Sequence, residues 1–278
     1  EVLSTTQTNL SRISEVIKRH GLRAKKSLGQ NFLLDLNLTK RIAQASGDLH
    51  GQNIVEIGAG PGGLTRALLC NGAGHVFAVE RDFRAIHALK ELSEAYPSRL
   101  TVIEADAMRV DLNSISPQPR KIVANLPYNI ATSLLVRWLQ NLDGVTSMTL
   151  MFQREVAERL AAIPGSKAYG RLSVITQWLC EVQLVFNLPK EAFTPPPKVT
   201  STVVNLLPRN NRLAEANFKA LETVTMAAFG QRRKMLRSSL KPLKLDPTVV
   251  GIDETARAEE LDVHAFCALA RLYIKLHP

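Results

Sequence analysis

The 278-residue chain predicts an α/β fold, a parallel sheet covered by helices on both faces, followed by a small all-helical C-terminal domain. Three observations carry this. Short, nearly continuous apolar runs alternate with stretches of helical period between residues 53 and 153, as expected of strands buried on both faces and joined by crossover helices. A glycine-rich loop follows the first of these runs, where strand gives way to helix. Beyond about residue 208 the strand-like runs stop and only helical periodicity remains.

The elements follow in order. Ile13, Val16 and Ile17 fall at helical spacing before Gly21 and predict a short amphipathic helix. A basic stretch then leads into Gly29-Gln30-Asn31-Phe32. Strands are expected at NIVEI (53–57), HVFAVE (75–80), LTVIEAD (100–106), KIVAN (121–125) and SMTLMFQ (147–153), each bounded by turn residues. LTRALLCNG, FRAIHALKELSEA and IATSLLVRWLQNL fill the gaps as helices. EVAERLAAI and RLSVITQWLC add two more, and VQLVFNL and TSTVVNLL read as a late strand pair around PKEAFTPPPKV. FKALETVTMAAF, KMLRSSLK and DVHAFCALARLYIKL form the helical end. The expected organisation is a basic arm at 1–26, an α/β body at 27–208 and a helical domain at 209–278.

Composition narrows the class. No stretch approaches the ~18 consecutive apolar residues of a membrane span. The opening twenty residues lack the apolar run of a secretory leader and carry Glu1 and Glu15, so neither a secretory nor a mitochondrial leader is expected there. Cys70, Cys180 and Cys267 are too dispersed for a disulfide framework or a zinc site, and are expected to be buried thiols in a reducing, cytoplasmic compartment. Lys+Arg number 35 against 25 Asp+Glu, a net +10 that splits as +4 over residues 1–26, +2 over 27–205 and +4 over 206–278. A near-neutral centre between two basic ends suits either polyanion-binding extremities or solvated helix faces.

The sharpest loop is Glu56-Ile57-Gly58-Ala59-Gly60-Pro61-Gly62-Gly63. Glycines there let the turn close and let backbone N–H groups approach a ligand at the helix N-terminus. The spacing of Gly58, Gly60 and Gly63 satisfies the dinucleotide fingerprint, and on its own does not separate a nicotinamide cofactor from another nucleoside. Glu80 closes the second strand, 22 residues after Gly58, where a carboxylate can take ribose hydroxyls. Asp106 closes the third, where it can accept from an adenine amino group; either acid could instead cap a helix. After the fourth strand comes Asn125-Leu126-Pro127-Tyr128-Asn129.

Together the Glu-x-Gly-x-Gly loop, the two strand-end acids and this last string resemble the Rossmann-like S-adenosylmethionine methyltransferases, in particular those that methylate exocyclic amino groups. With SLGQNFL (27–33), FTPPPKVTS (193–201) and FGQRRKMLRSSL (229–240), the chain resembles the ribosomal RNA adenine dimethyltransferase family over residues 20–275, in its bacterial small-subunit branch. The resemblance implies that Gln30, Asn31 and Leu33 close over S-adenosylmethionine, that Gly58 and Gly60 lie under it, and that Glu80 and Asp106 hold its ribose and adenine. It further implies that Asn125 sits between cofactor and target base.

An adenine N6 is a poor nucleophile because its lone pair is delocalised into the ring. Acceptors on its two hydrogens, from the Asn125 side chain and the Leu126 carbonyl, would turn that lone pair toward the methyl. Pro127 fixes the turn, Tyr128 offers a face for the base, and Phe193 is the candidate for the opposite face. No metal is expected. A base inside a duplex cannot reach such a site, so the target is single-stranded or flipped. Arg23, Lys25 and Lys26 beside the lid, and Arg232, Arg233, Lys234 and Arg237 on the helical domain, are the expected phosphate contacts.

If Arg232–Lys234 open a helix, their side chains fan over more than one face and one of them is structural. The expected partner is the small ribosomal subunit with its 16S rRNA, the expected reaction is dimethylation of two adjacent adenosines near the 3′ end, and the expected state is a monomer without membrane contact. The alternatives are a non-catalytic assembly factor, an antibiotic-resistance (Erm) methyltransferase of large-subunit RNA, a mitochondrial relative that doubles as a transcription factor, and a nicotinamide-dependent oxidoreductase. The last leaves Asp106 and Asn125–Tyr128 unexplained.

Overall fold

The apolar runs become strands and the periodic stretches become helices, in the predicted alternation. In a computed structural model, which describes residues 10–278, helix α1 (Ile13–Arg19) precedes the two-residue strand β1 (Phe32–Leu33) and helix α2 (Leu36–Ala45). There follow β2 (Asn53–Ile57), α3 (Gly63–Cys70), β3 (His75–Glu80), α4 (Phe83–Ala95), β4 (Leu100–Glu104), α5 (Leu112–Ile115), β5 (Arg120–Asn125), α6 (Tyr128–Gln140) and β6 (Val145–Gln153). Next come α7 (Arg154–Leu160), α8 (Arg171–Leu179), β7 (Cys180–Leu188), the short β8 (Phe193–Thr194) and β9 (Ser201–Pro208). Helices α9 (Phe218–Gly230), α10 (Leu236–Ser239) and α11 (Val263–Leu276) follow. Among the described residues, no helix is long and apolar enough to cross a membrane.

Seven strands hydrogen-bond in the order β4-β3-β2-β5-β6-β9-β7. Strands β2 to β6 run parallel, whereas β9 is antiparallel to β6, with Met148 opposite Leu206 and Gln153 opposite Ser201. The parallel expectation therefore holds for five strands, and the late pair makes the sheet mixed. From β2 the chain first builds outward through β3 and β4, then returns to lay β5 and β6 on the other side of β2. The loops after β2 and β5 leave the sheet in opposite directions, which opens a crevice at the carboxyl ends of these strands.

Packing divides the chain differently from expectation. One unit holds the described residues up to Arg154 together with Leu184–Leu206; the other holds Glu155–Gln183 and Leu207–Pro278. The expected body at 27–208 is thus corrected: residues 155–183 belong with the helical unit of 209–278 and not with the sheet. Val174 and Trp178 of α8 lie in one apolar cluster with Leu221, Val224, Phe266 and Leu269. Periodicity marked α7 and α8 as amphipathic but carries no information on which partner the apolar stripe will find.

The arm at 1–26 is likewise not a separate part where it is described, since Val16 and Leu22 bury against Phe32, Ala85 and Ala88 of the first unit. Residues 1–9 of that arm lie outside the described residues.

Cys180 and Cys267 are buried as expected, and burial pushes their thiols up to about 12 and about 11. Cys70 is exposed, correcting the third assignment. It stands four residues after Arg66 on α3, on the outer face, while Leu64, Ala67, Leu68 and Leu69 take the inner one.

In the helical unit Trp178 is 1% exposed and donates its indole N–H to the Ala214 carbonyl at 2.8 Å. Trp178→Ala should cost about 3–5 kcal/mol of stability, read from urea denaturation followed by circular dichroism.

Candidate active site

The crevice is a cavity walled by four pieces of the sheet-bearing unit: residues 28–33, the loop around Gly58 and Gly60, the strand ends at Glu80 and Asp106, and Asn125–Ile130. It brings together Gln30, Asn31, Leu33, Gly58, Gly60, Glu80, Asp106, Asn125, Leu126, Pro127 and Tyr128. Eleven residues expected to act together thus face one space, though they span almost a hundred positions of sequence.

The loop after β2 is held by main chain. Gly58 donates its N–H to the Val79 carbonyl at 2.8 Å, and Gly60 adopts φ +56° with the Phe32 ring 3.4 Å from where a Cβ would stand. A Cβ on Gly63 would meet the Leu33 carbonyl oxygen at 2.7 Å, so only glycine lets the lid segment lie this close to the start of α3. Glu80 is buried and accepts from three backbone N–H groups: Gly60 at 2.9 Å on one oxygen, Arg81 at 2.7 Å and Asp82 at 2.9 Å on the other. Asp106 lies two residues past the end of β4, and its Oδ1 accepts from the Met108 N–H at 3.0 Å. Asp82, not Glu80, caps α4.

Asn125 ends β5, and its side-chain Nδ2 donates to the Asn31 carbonyl of the lid at 3.2 Å. That bond orients the amide so that Oδ1 is the atom left to accept. Pro127, with φ −57°, precedes α6, and Tyr128 opens the helix with its hydroxyl hydrogen-bonded to Ser201 at the start of β9. Burial pushes the Tyr128 phenol up.

Phe193 is not brought to the cavity. It is 1% exposed, lies in the apolar core with Leu33, Leu188 and Val203, and pairs with Leu33 across the β1–β8 ladder. Alternation along β8 turns Phe193 inward and Thr194 outward.

Residues 21–275 match the ribosomal RNA adenine dimethylase family. The chain belongs to that family. It is 61% identical over 268 residues, 95% of either chain, to the ribosomal RNA small subunit methyltransferase A of Paramagnetospirillum magneticum. The protein of the same name from Azorhizobium caulinodans is 56% identical over 273 residues, 95% of this chain and 94% of its own. Among solved structures, a dimethyladenosine transferase from Plasmodium falciparum superposes with a TM-score of 0.74 at 26% identity, covering 87% of this chain and 96% of its own. The 23S rRNA methyltransferase ErmE gives 0.67 at 26% identity, covering 87% and 98%. The fold of this adenine dimethylase is therefore that of the S-adenosylmethionine methyltransferases.

The basic residues of the dimethylase divide by environment. Arg23, Lys25 and Lys26 are exposed beside the lid. In the helical unit Gln231–Arg233 form a turn and not a helix, and the helix expected over KMLRSSLK shrinks to Leu236–Ser239. Arg232 donates to the Ser166 carbonyl at 3.2 Å. Arg233 and Lys234 are exposed, and Arg237 stands 3.9 Å from Glu254 on the surface.

Two acids at the cavity have no role in the expectations above. Asp82 accepts from Gln30 and Arg84, and Glu56 lines the cavity from the head of the glycine motif. The signal for Glu56 was its place one residue from the end of a strand buried on both faces, where a carboxyl has no water. Burial first, then the nearby Glu80 charge, push it from the ordinary 4.5 to about 8, partly offset by a hydrogen bond with the Thr65 hydroxyl. A carboxyl raised on folding contributes its full stability below the unfolded value of 4.5 and loses it as pH rises through about 8. Glu56→Gln keeps the neutral shape, so its stability should stay flat over that window while the parent loses stability; thermal melts across the pH series measure the difference.

Proposed function

We propose that the chain is a cytoplasmic, monomeric enzyme that transfers methyl groups from S-adenosylmethionine to the N6 atoms of two adjacent adenosines near the 3′ end of 16S rRNA in the small ribosomal subunit. The observation that carries this is the opening of Glu80, Asp106 and Asn125-Leu126-Pro127-Tyr128 into a single cavity. The names of the relatives at 61% and 56% identity support the choice of small-subunit RNA.

The cavity fits the methyl donor by its chemistry. A turn of positive-φ glycine leaves room for a ligand beside backbone, and two carboxylates stand at the ends of neighbouring parallel strands. When bound, S-adenosylmethionine supplies a methyl already activated by its sulfonium. A carboxylate has about four acceptor positions, and Glu80 fills three with backbone N–H groups, which leaves one for a ribose hydroxyl. Asp106 accepts from the adenine amino group. Asn125 Oδ1 and the Leu126 carbonyl accept from the N6 hydrogens of the target base, and the Tyr128 ring carries that base on its face. Once N6 has taken the methyl, its surplus proton passes to solvent, so alignment is the enzyme's main contribution.

Incubation with radiolabelled S-adenosylmethionine and undermethylated small subunits, followed by digestion, should yield label in dimethyladenosine. Label from large subunits alone would favour an Erm-type target; subunit binding without label would leave an assembly factor. Asn125→Ala should lower turnover about a hundredfold or more while leaving subunit affinity near the parent's. Arg233→Ala should do the reverse, and should reduce the slope of log affinity against log salt by about one unit. Filter binding at several salt concentrations, alongside the methylation assay, separates the two.

A further inference from the structure

The anchoring of the lid is not used by the chemistry above. Gln30 lines the cavity, yet both ends of its carboxamide are engaged away from it: Oε1 accepts from the Lys25 N–H at 2.9 Å, and Nε2 donates to Asp82 Oδ2 at 2.8 Å. Asp82 is 4% exposed and stands behind the cavity wall formed by its neighbours Glu80 and Arg81. Arg84 grips its carboxylate with both arms of the guanidinium, Nε at 3.0 Å and Nη2 at 2.6 Å. The third nitrogen of Arg84 donates to the carbonyls of Gly21 and Arg23, each at 3.1 Å. The Asp82 backbone N–H meanwhile donates to Glu80. One residue therefore holds a cavity carboxylate through its main chain and the cavity's roof through its side chain.

We propose that Asp82 and Arg84 are positioning residues of the methyl transfer, a latch that fixes residues 21–33 closed over the cofactor cavity. The choice of ligand rests on the S-adenosylmethionine reading; the latch itself rests on the bonds. A fork of two N–H···O contacts on a shielded carboxylate is strong and directional. Burial opposes the Asp82 charge, but the bonds from Arg84 and Gln30 outweigh it and hold the acid at about 2. On the arm, the ion pair of Arg19 with Glu91 at 2.6 Å has both side chains about half exposed and contributes little.

The test compares Asp82→Asn, Gln30→Met and their double variant with the parent chain. Three quantities are read: affinity for S-adenosylmethionine by calorimetry, the rate of tryptic cleavage after Arg23, Lys25 and Lys26 by mass spectrometry, and Tm. Each single variant should bind the cofactor about tenfold more weakly and be cut several-fold faster in that segment, with Tm near the parent's in Gln30→Met and lowered in Asp82→Asn, which leaves Arg84 without its carboxylate partner. The double variant should lose less than the sum of the two single losses, because both break the Gln30–Asp82 bond, while each also breaks a bond of its own, to the Lys25 N–H or to Arg84. Arg19→Ala should match the parent in both measurements.

Parent-like affinity and cleavage in Gln30→Met, or additive losses in the double variant, would overturn the latch. If Asp82→Asn does not fold, Gln30→Met decides by the same two measurements. Absence of S-adenosylmethionine binding to the parent would sink the methyl-donor reading, whereas the cleavage comparison still decides the latch.

Discussion

A carboxylate taken out of water must be surrounded by donors, and Glu80 finds them in the main chain. Its three N–H partners come from two places, Gly60 in the loop after β2 and Arg81 and Asp82 in the turn after β3. The side chain thus ties together two loops that the parallel sheet only sets side by side. Gly60 can present its N–H there because its backbone turns into the left-handed region. Around this fixed point the remaining pieces take their places. Asp82 carries the roof segment through Gln30, the β2 loop packs Gly60 under Phe32, and Asn125 reaches the roof from the far side through Asn31. Each wall of the cavity is in this way bonded to at least one other, and the ligand surfaces are set before a ligand arrives.

Much of this was legible in the residues. Buried strands read as apolar runs, and the observed β2, β3 and β5 coincide with the expected ones to within a residue. Glu80 and Asp106 were legible as acids at successive strand ends beside a glycine turn, the places from which they line the cavity. What was not legible concerns pairings across long separations. Gln30 meets Asp82 over 52 positions, and no local pattern announces that bond. Phe193 was the expected second face for the base, but it pairs with Leu33 across 160 positions and lies in the core. The helices at 155–179 read correctly as helices and were placed in the wrong unit, since an amphipathic stripe is indifferent to whether a sheet or another helix covers it.

Charge illustrates the same limit. A net +10 concentrated at both ends of the chain suits a polyanion partner. Yet a tally of lysines and arginines overstates what can face one. Arg232 is occupied by the Ser166 carbonyl, Arg84 by Asp82 and two main-chain carbonyls, and Arg209 by the Gln177 carbonyl. Of the expected phosphate contacts, Arg23, Lys25 and Lys26 on one unit and Arg233, Lys234 and Arg237 on the other are exposed, Arg237 beside Glu254.

The two-residue ladder that joins Phe32 and Leu33 to Phe193 and Thr194 bears on how the enzyme is made. Translation delivers the first of these strands long before the second. At an elongation rate of about 5–20 residues per second, the gap is roughly ten to thirty seconds. Throughout that interval the nascent chain holds its glycine turn and its acids but not the strand that pins the roof. Closing so long a loop is slow and costs chain entropy until the distant partner is present. The ladder across the roof segment is therefore completed only when the polypeptide beyond Thr194 has cleared the exit tunnel.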